Sequence, residues 1–104
     1  MKKTELKSET QAISFLSRYA HVLMIIMRDP SVTIREISII LGVTERTIHI
    51  FLNQLEQQGV ISIKRQGRKN TYRVLLDAKS PSRFENGCKV RDVLGIISDL
   101  DISH

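Results

Sequence analysis

The fold of this chain is decided by residues 33–74, which read TIREISIILGVTERTIHIFLNQLEQQGVISIKRQGRKNTYRV. The stretch opens with Thr33 followed three residues later by Glu36, a capping box that predicts the start of a helix. Apolar residues at helical spacing continue to Leu41, and Gly42 ends the helix because glycine adopts positive φ at little cost. Thr44 is a favourable N-cap for a second helix. Two helices joined by so short a turn predict a helix-turn-helix.

The second predicted helix, residues 44–58, carries the most informative pattern. At about 100° per residue, one arc is apolar and forms the core stripe, which consists of Ile48, Phe51, Leu52 and Leu55. The opposite arc, here called the outward row, consists of Arg46, Ile50, Asn53 and Gln57. The outward row combines a guanidinium, a branched apolar group and two amides without a carboxylate. This chemistry favours a contact surface over an ordinary solvated face.

After Gly59 the apolar residues alternate with polar ones, which predicts a two-stranded hairpin extending to residue 74. Between residues 64 and 73 no side chain is acidic and five are basic, namely Lys64, Arg65, Arg68, Lys69 and Arg73. Phosphate groups would supply the countercharge that this hairpin lacks. The alternative is a solvated hairpin whose charges discourage pairing between sheet edges, but that purpose needs fewer charges of one sign.

Length and charge limit the classes of protein to consider. With 104 residues and 41% apolar content, the chain predicts one soluble domain with a modest core. Residues 1–76 hold 12 Lys and Arg against 6 Asp and Glu, whereas residues 77–104 hold 4 against 5. This uneven net charge of +5 favours a polyanionic partner such as nucleic acid. We find no apolar run that spans a bilayer and no secretion signal, so we expect a cytoplasmic protein.

Further helices are expected on both sides of the central stretch. Ser8 and Gln11 form another capping-box pattern, and apolar spacing then continues to Arg28, where Asp29-Pro30 stops the helix. This segment is either one helix or a lead-in followed by a helix from about Arg18. After a loop, a last helix is predicted from near Gly87 to about Leu100. We expect a core at residues 18–76, with residues 1–17 and 83–104 as dimerisation elements.

Four segments together resemble a known family: HVL and RDP at residues 21–30, GVTERT at 42–47, LEQQG at 55–59 and RQGRKNTYRV at 65–74. With them, residues 21–98 resemble the winged helix-turn-helix transcriptional regulators of the MarR-like and ArsR-like group. The resemblance implies a mainly α fold with a small β-hairpin (α+β), and additional N- and C-terminal helices. It also implies a homodimer that places helix 44–58 in the major groove of double-stranded DNA and the basic wing, residues 64–73, on the backbone or minor groove.

These expectations assign a role to each candidate DNA-binding residue. Arg46 would pair with a guanine edge, Asn53 with adenine, and Ile50 would pack against a thymine methyl group. His49 and Gln54 flank this row, and Glu45 could cap the helix, accept from cytosine or pair with Arg46. Contacts to phosphate and sugar are assigned to three threonines and to the wing, namely Thr33, Thr44, Thr47, Lys64, Arg65, Gln66, Gly67, Arg68, Lys69, Asn70 and Arg73.

Three other functions are alternatives to DNA binding. A protein-interaction module would use Ile39, Ile40 and Ile50 as its working surface. A metal-sensing repressor is disfavoured because the histidines lack ligand spacing and Cys88, which we expect to be a small buried residue, is the single cysteine. An enzyme is disfavoured because there is no glycine-rich phosphate loop and no nucleophile with a nearby base. We therefore expect no catalytic residues, metal or cofactor, and nothing in the sequence indicates a small-molecule effector.

Overall fold

The structure is a computed structural model that describes residues 12–95. In chain order its elements are α1 (Arg18–Arg28), α2 (Ile34–Leu41), α3 (Glu45–Gln57), β1 (Ile61–Gln66), β2 (Lys69–Val74), a 3-10 turn (Arg83–Glu85) and α4, described over residues 90–95. The two strands form one antiparallel hairpin. This arrangement confirms the predicted mainly α class with a small hairpin and the winged helix-turn-helix architecture.

The sequence left open whether the N-terminal segment is one helix or a lead-in followed by a helix from about Arg18, and the start of α1 decides between them. It begins at Arg18, because Ser17 caps it with a side chain that accepts from the Ala20 amide at 3.3 Å. The helix ends before Asp29, which has extended backbone angles ahead of Pro30, as the proline rule predicts. The earlier capping-box pattern at Ser8 lies outside the described residues.

The predicted caps hold the helix-turn-helix in place. At α2, the Glu36 amide donates to Thr33 Oγ1 at 3.0 Å and the Thr33 amide donates to Glu36 Oε1 at 2.9 Å, which completes the capping box. Gly42 ends α2 with φ of 69°, in the left-handed region that favours glycine. Arg18 Nη1 on α1 donates to the Leu41 carbonyl at 2.6 Å, so a cation satisfies the C-terminal end of α2.

The hairpin register determines which side chains face the helices. Ile61 pairs with Val74, Ile63 with Tyr72, and Arg65 with Asn70, so these six residues share one face, here called the inner face. The inner face packs on the core where Ile61 and Tyr72 are buried. The Tyr72 amide donates to the Pro30 carbonyl at 2.9 Å, which joins the hairpin to the chain segment ahead of α2.

One apolar cluster connects all of these elements. It draws on α1, α2, α3, both strands and α4, and its most deeply buried members are Val22, Ile26, Ile37, Ile48 and Ile61. Within the predicted core stripe of α3, Ile48, Leu52 and Leu55 are buried, whereas Phe51 is half-buried and lies against Tyr19 with ring centroids 4.5 Å apart. The cluster fixes α3 so that its opposite face is directed outward.

Two expectations for the C-terminal part are wrong. Cys88 is exposed rather than buried, because its backbone bonds to Glu85 and Ser80 while the thiol lies outside the apolar cluster. The last helix begins at residue 90 rather than near Gly87, whose φ of 84° is incompatible with a helix start. Instead, the Lys89 amide donates to Asp92 Oδ2 at 3.1 Å and caps α4. Its predicted end near Leu100 lies outside the described residues.

Candidate nucleic-acid interface

The outward row lies on the free side of α3. Arg46, Asn53 and Gln57 are exposed, and Ile50 keeps 45% of its surface accessible although it is a large apolar residue. The core stripe on the other side of the same helix explains this arrangement, because burial of Ile48 and its neighbours leaves the opposite arc to solvent. The row therefore presents hydrogen-bonding groups and one apolar group on a rigid helix.

His49 and Glu45 are also exposed, and helical spacing places them on the flank of the row that faces the hairpin, together with Glu56. Glu45 lies in the first turn of α3, where a carboxylate is favourable beside the N-terminal amides. Its charge is therefore stabilised by the helix dipole and does not require a partner outside the chain. Among the described residues, Glu45 forms no salt bridge with Arg46.

Three threonines lie at the helix N-termini, but their hydroxyls are already engaged. Thr44 caps α3 by accepting from the Thr47 amide at 3.1 Å, and the hydroxyls of these two residues lie 2.9 Å apart. Thr33 Oγ1 accepts from the Glu36 amide and donates to Glu36 Oε1 at 3.1 Å. Because these hydroxyls already serve the chain's own bonds, the N-terminal amides and the helix dipole are the groups best placed to attract an anion.

The wing, defined as β1, the turn at residues 67–68 and β2, divides its charges between two faces. Alternation places Lys64, Gln66, Lys69 and Arg73 with Ser62 and Thr71 on the outer face, opposite the inner face that packs on the helices. All six are exposed. Gly67 has φ of 59° and forms the tight turn with the exposed Arg68. Among the described residues, Lys64, Arg68, Lys69 and Arg73 form no salt bridge.

Arg65 differs from the other wing cations because it lies on the inner face and bonds to α3. Its Nη1 donates to Glu56 Oε2 at 3.2 Å and its Nη2 donates to Glu56 Oε1 at 3.1 Å. These parallel bonds are the bidentate geometry in which a guanidinium and a carboxylate fit best. Hydrogen bonds from Arg65 hold the pKa of Glu56 below its ordinary value, and the carboxylate raises the pKa of Arg65. The pair joins α3 to the wing.

Gln54 lies on the flank of the outward row that faces α1. It is half-buried, and its Oε1 accepts a hydrogen bond from Tyr19 Oη at 2.5 Å. It lines a cleft of about 520 Å³ between α1, the end of α3, residues 80–85 and α4. Helical spacing places Gln54 about 100° from Asn53 around α3, so its side chain is directed toward Tyr19 rather than along the outward row.

Sequence reasoning missed the bond between Glu56 and Arg65, although a signal was present. Arg65 follows Ile61 and Ile63 at alternate positions, so it belongs to the face that packs against α3. A cation on the face that packs against α3 comes within reach of a carboxylate on that helix, here Glu56. The partnership of Tyr19 and Gln54 had no comparable signal, because it depends on how α1 crosses α3.

The described residues also bear on other classes of function. No group of three or more His, Cys, Asp and Glu side chains between residues 12 and 95 is arranged to hold a metal ion. No helix within the same residues has the length and apolar character needed to cross a membrane.

Comparisons with known proteins agree with this architecture. A family model described as "Penicillinase repressor" matches residues 17–86, about two thirds of the chain, and the matched part runs from the cap of α1 beyond the wing. A solved structure, that of a mutant of Lactococcus lactis ZitR, is similar over the whole of this chain and 68% of its own, with a TM-score of 0.53 and 20% sequence identity. At that identity the likeness concerns the fold alone. No curated protein sequence matches.

Proposed function

Because the chain belongs to the penicillinase repressor family of DNA-binding winged-helix transcriptional regulators, we propose that α3 lies in the major groove of double-stranded DNA. The observation that carries the proposal is the exposed outward row on α3, which adjoins a wing with four cations that form no salt bridge among the described residues. The family model describes a repressor rather than an enzyme. We therefore propose that the protein represses transcription by occupying a promoter.

Base sequence is read by three side chains of the outward row. Arg46 donates two hydrogen bonds to a guanine edge, Asn53 pairs with adenine, and Ile50 packs against a thymine methyl group. Their exposure and their position on one side of a rigid helix support this assignment. His49 lies beside Asn53 and contacts base or backbone, whereas Gln54, bonded to Tyr19, contributes only if that bond is released.

Contacts to the DNA backbone come from the wing tip and the helix N-termini. Arg68 and Lys69 at the turn reach phosphates or the minor groove, with Gln66 and Asn70 as neutral neighbours. Lys64 and Arg73 on the outer face add long-range attraction for the duplex. At the start of α3, the first-turn amides that the Thr44 side chain does not cap face a phosphate, as do those that Thr33 does not cap at the start of α2.

The regulator acts as a homodimer on a pseudo-palindromic site. One winged helix covers a short sequence, so two copies with half-sites about one helical turn apart would supply the specificity. Residues 1–17 and 83–104 are the proposed dimerisation elements, flanking a winged core at residues 18–76. The motifs in the turn and wing further support kinship with MarR-like and ArsR-like regulators, and a partner on chromosomal DNA supports a cytoplasmic location.

Selection of bound duplexes from random DNA tests this function. We expect an enriched inverted repeat, and a titration on that sequence should give an affinity that falls steeply with salt. A regulator that enriched no sequence, and bound random duplex no better than a protein of equal charge, would contradict the proposal.

A protein-interaction module is the second candidate, and one observation favours it. Ile39 and Ile40 keep 68% and 62% of their surface exposed on the outer side of α2. A gel shift with random duplex at low salt separates the two functions, because an interaction module predicts no shift, whereas α3 and the wing predict a shift that the double variant I39S/I40S leaves unchanged. If replacing Arg46 and Arg68 also left DNA binding unchanged, the interaction module would be the better account.

A further inference from the structure

We propose that Glu56 and Arg65 are positioning residues that hold the wing at a set angle to α3, and that Arg65 is not a phosphate contact. This inference rests on the proposed DNA-binding function and deepens it. It gives Glu56 a role in the interface, although charge repulsion from phosphates would make a carboxylate unfavourable beside DNA.

The geometry of the hairpin supports this role. Along the inner face of β1, Ile61 is buried, Ile63 is half-buried and Arg65 is exposed, so apolar packing fades toward the tip. At the point where the packing ends, the guanidinium of Arg65 reaches back to the helix and makes two hydrogen bonds, of 3.1 and 3.2 Å. Among the described residues, this is the single salt bridge between α3 and the wing.

Arg65 already has an ion-pair partner within the chain. Glu56 occupies both of its terminal nitrogens, and this carboxylate itself is held in the ionised form by Arg65. Three of the five N–H donors of Arg65 remain, but Glu56 already balances its charge, so a phosphate gains less there than beside a cation without a carboxylate partner. Lys64, Arg68, Lys69 and Arg73 have no such partner among the described residues, so they are better placed to release counterions on binding DNA.

A fixed wing benefits binding through preorganisation. The tip beyond Arg65 consists of exposed residues, and a hairpin tip that moves freely must be ordered when it meets a duplex. Holding the hairpin against α3 before binding reduces that entropic cost. Removal of either partner should therefore weaken DNA binding, even though the loss of Glu56 removes a negative charge.

The variant Glu56→Gln tests the proposal, because the two accounts predict opposite changes in DNA affinity. If the pair positions the wing, E56Q weakens binding to the selected duplex by about two- to fivefold, the range expected for an exposed ion pair. R65Q weakens binding by a similar factor, and the double variant E56Q/R65Q is no worse than either single variant. If instead Arg65 contacts phosphate and Glu56 merely repels it, E56Q tightens binding, which would overturn the proposal.

The exchanged pair E56R/R65E and a matched control complete the experiment. The exchange should recover most of the lost affinity, whereas it would not do so if Arg65 had to meet a phosphate. Asp77→Asn makes the same chemical change in an arginine–carboxylate pair outside the wing, in which Asp77 Oδ1 accepts a hydrogen bond from Arg91 at 2.8 Å. D77N should leave affinity unchanged or slightly raised, and a loss equal to that of E56Q would overturn a specific role for Glu56.

A measurement without DNA separates this inference from the proposed function. Heteronuclear NOE values of backbone amides 66–69 should fall in E56Q and R65Q and recover in the exchanged pair. Unchanged values in both single variants would overturn the proposal. If the wild-type protein bound no duplex, the proposed function would fail while the NOE comparison would still decide whether the pair positions the wing.

Discussion

Arg68→Gln removes an exposed charge of the proposed interface, a cation at the turn of the wing with no salt-bridge partner among the described residues. Its side chain is distant from the apolar cluster, so we expect the fold to be unchanged. If Arg68 contacts one phosphate, its loss removes one counterion-releasing contact from each subunit on the DNA.

The expected magnitude follows from counterion release. Each phosphate contact contributes about 0.9 to the slope of log affinity against log salt, which is about 3.5-fold in affinity between 50 and 200 mM salt. For a dimer, the slope should therefore fall by about 1.8. The loss at low salt should be equal for the selected site and for random duplex, because phosphate contacts carry no sequence information.

Fluorescence anisotropy with a labelled duplex at several salt concentrations measures both quantities. Lys79→Gln is the matched control, since it removes one cation in the loop between the wing and the 3-10 turn. We expect K79Q to keep the wild-type slope. An R68Q slope equal to that of wild type would refute the assignment of the wing tip to the DNA backbone.

Three further outcomes follow from the same structure. Arg46→Ala should cost about 1–3 kcal/mol on the selected site and relax preference at one base pair, as measured by titration against single-base variants, with a uniform loss on all sequences as the contrary result. Ile48→Ala empties a fully buried position on α3 and should lower the free energy of unfolding by about 2–5 kcal/mol in urea, whereas a loss below about 1 kcal/mol would show that α3 is not anchored there. The pKa of Glu56 is lowered by Arg65, so the stability from this pair is present above the ordinary pKa of 4.5 and is lost as pH falls through the lowered value. Melting temperatures from pH 7 to 3 should therefore fall less for E56Q than for wild type, and parallel curves would contradict the linkage.

Local chemistry explains why so much of the fold could be predicted. Thr33 with Glu36, Gly42 and Thr44 act through hydrogen bonds or backbone angles within a few residues of each other, and the structure places all of them as predicted. Alternation after Gly59 likewise identifies the hairpin because side-chain direction is a local property of a strand. These signals do not depend on how distant elements pack.

The wrong or incomplete expectations depend on contacts between distant segments. Cys88 is exposed because of backbone bonds to Ser80 and Glu85, which the residue type does not reveal. The bond between Tyr19 and Gln54 requires that α1 cross α3, and it engages the amide oxygen of Gln54. For the candidate site, helical spacing was sufficient to predict which face of α3 is exposed. The hydrogen bonds from Arg65 to Glu56, by contrast, depend on the register of the hairpin.

The central claim is that the outward row of α3 and the wing form one surface for a duplex, and amide chemical-shift mapping on the selected DNA tests it most directly. We predict that the largest shifts and line broadening on binding occur at residues 44–57 and 64–73, with small changes in the cleft lined by Tyr19 and Leu94. Shifts confined to that cleft or to the outer side of α2, with the wing amides unaffected, would contradict it.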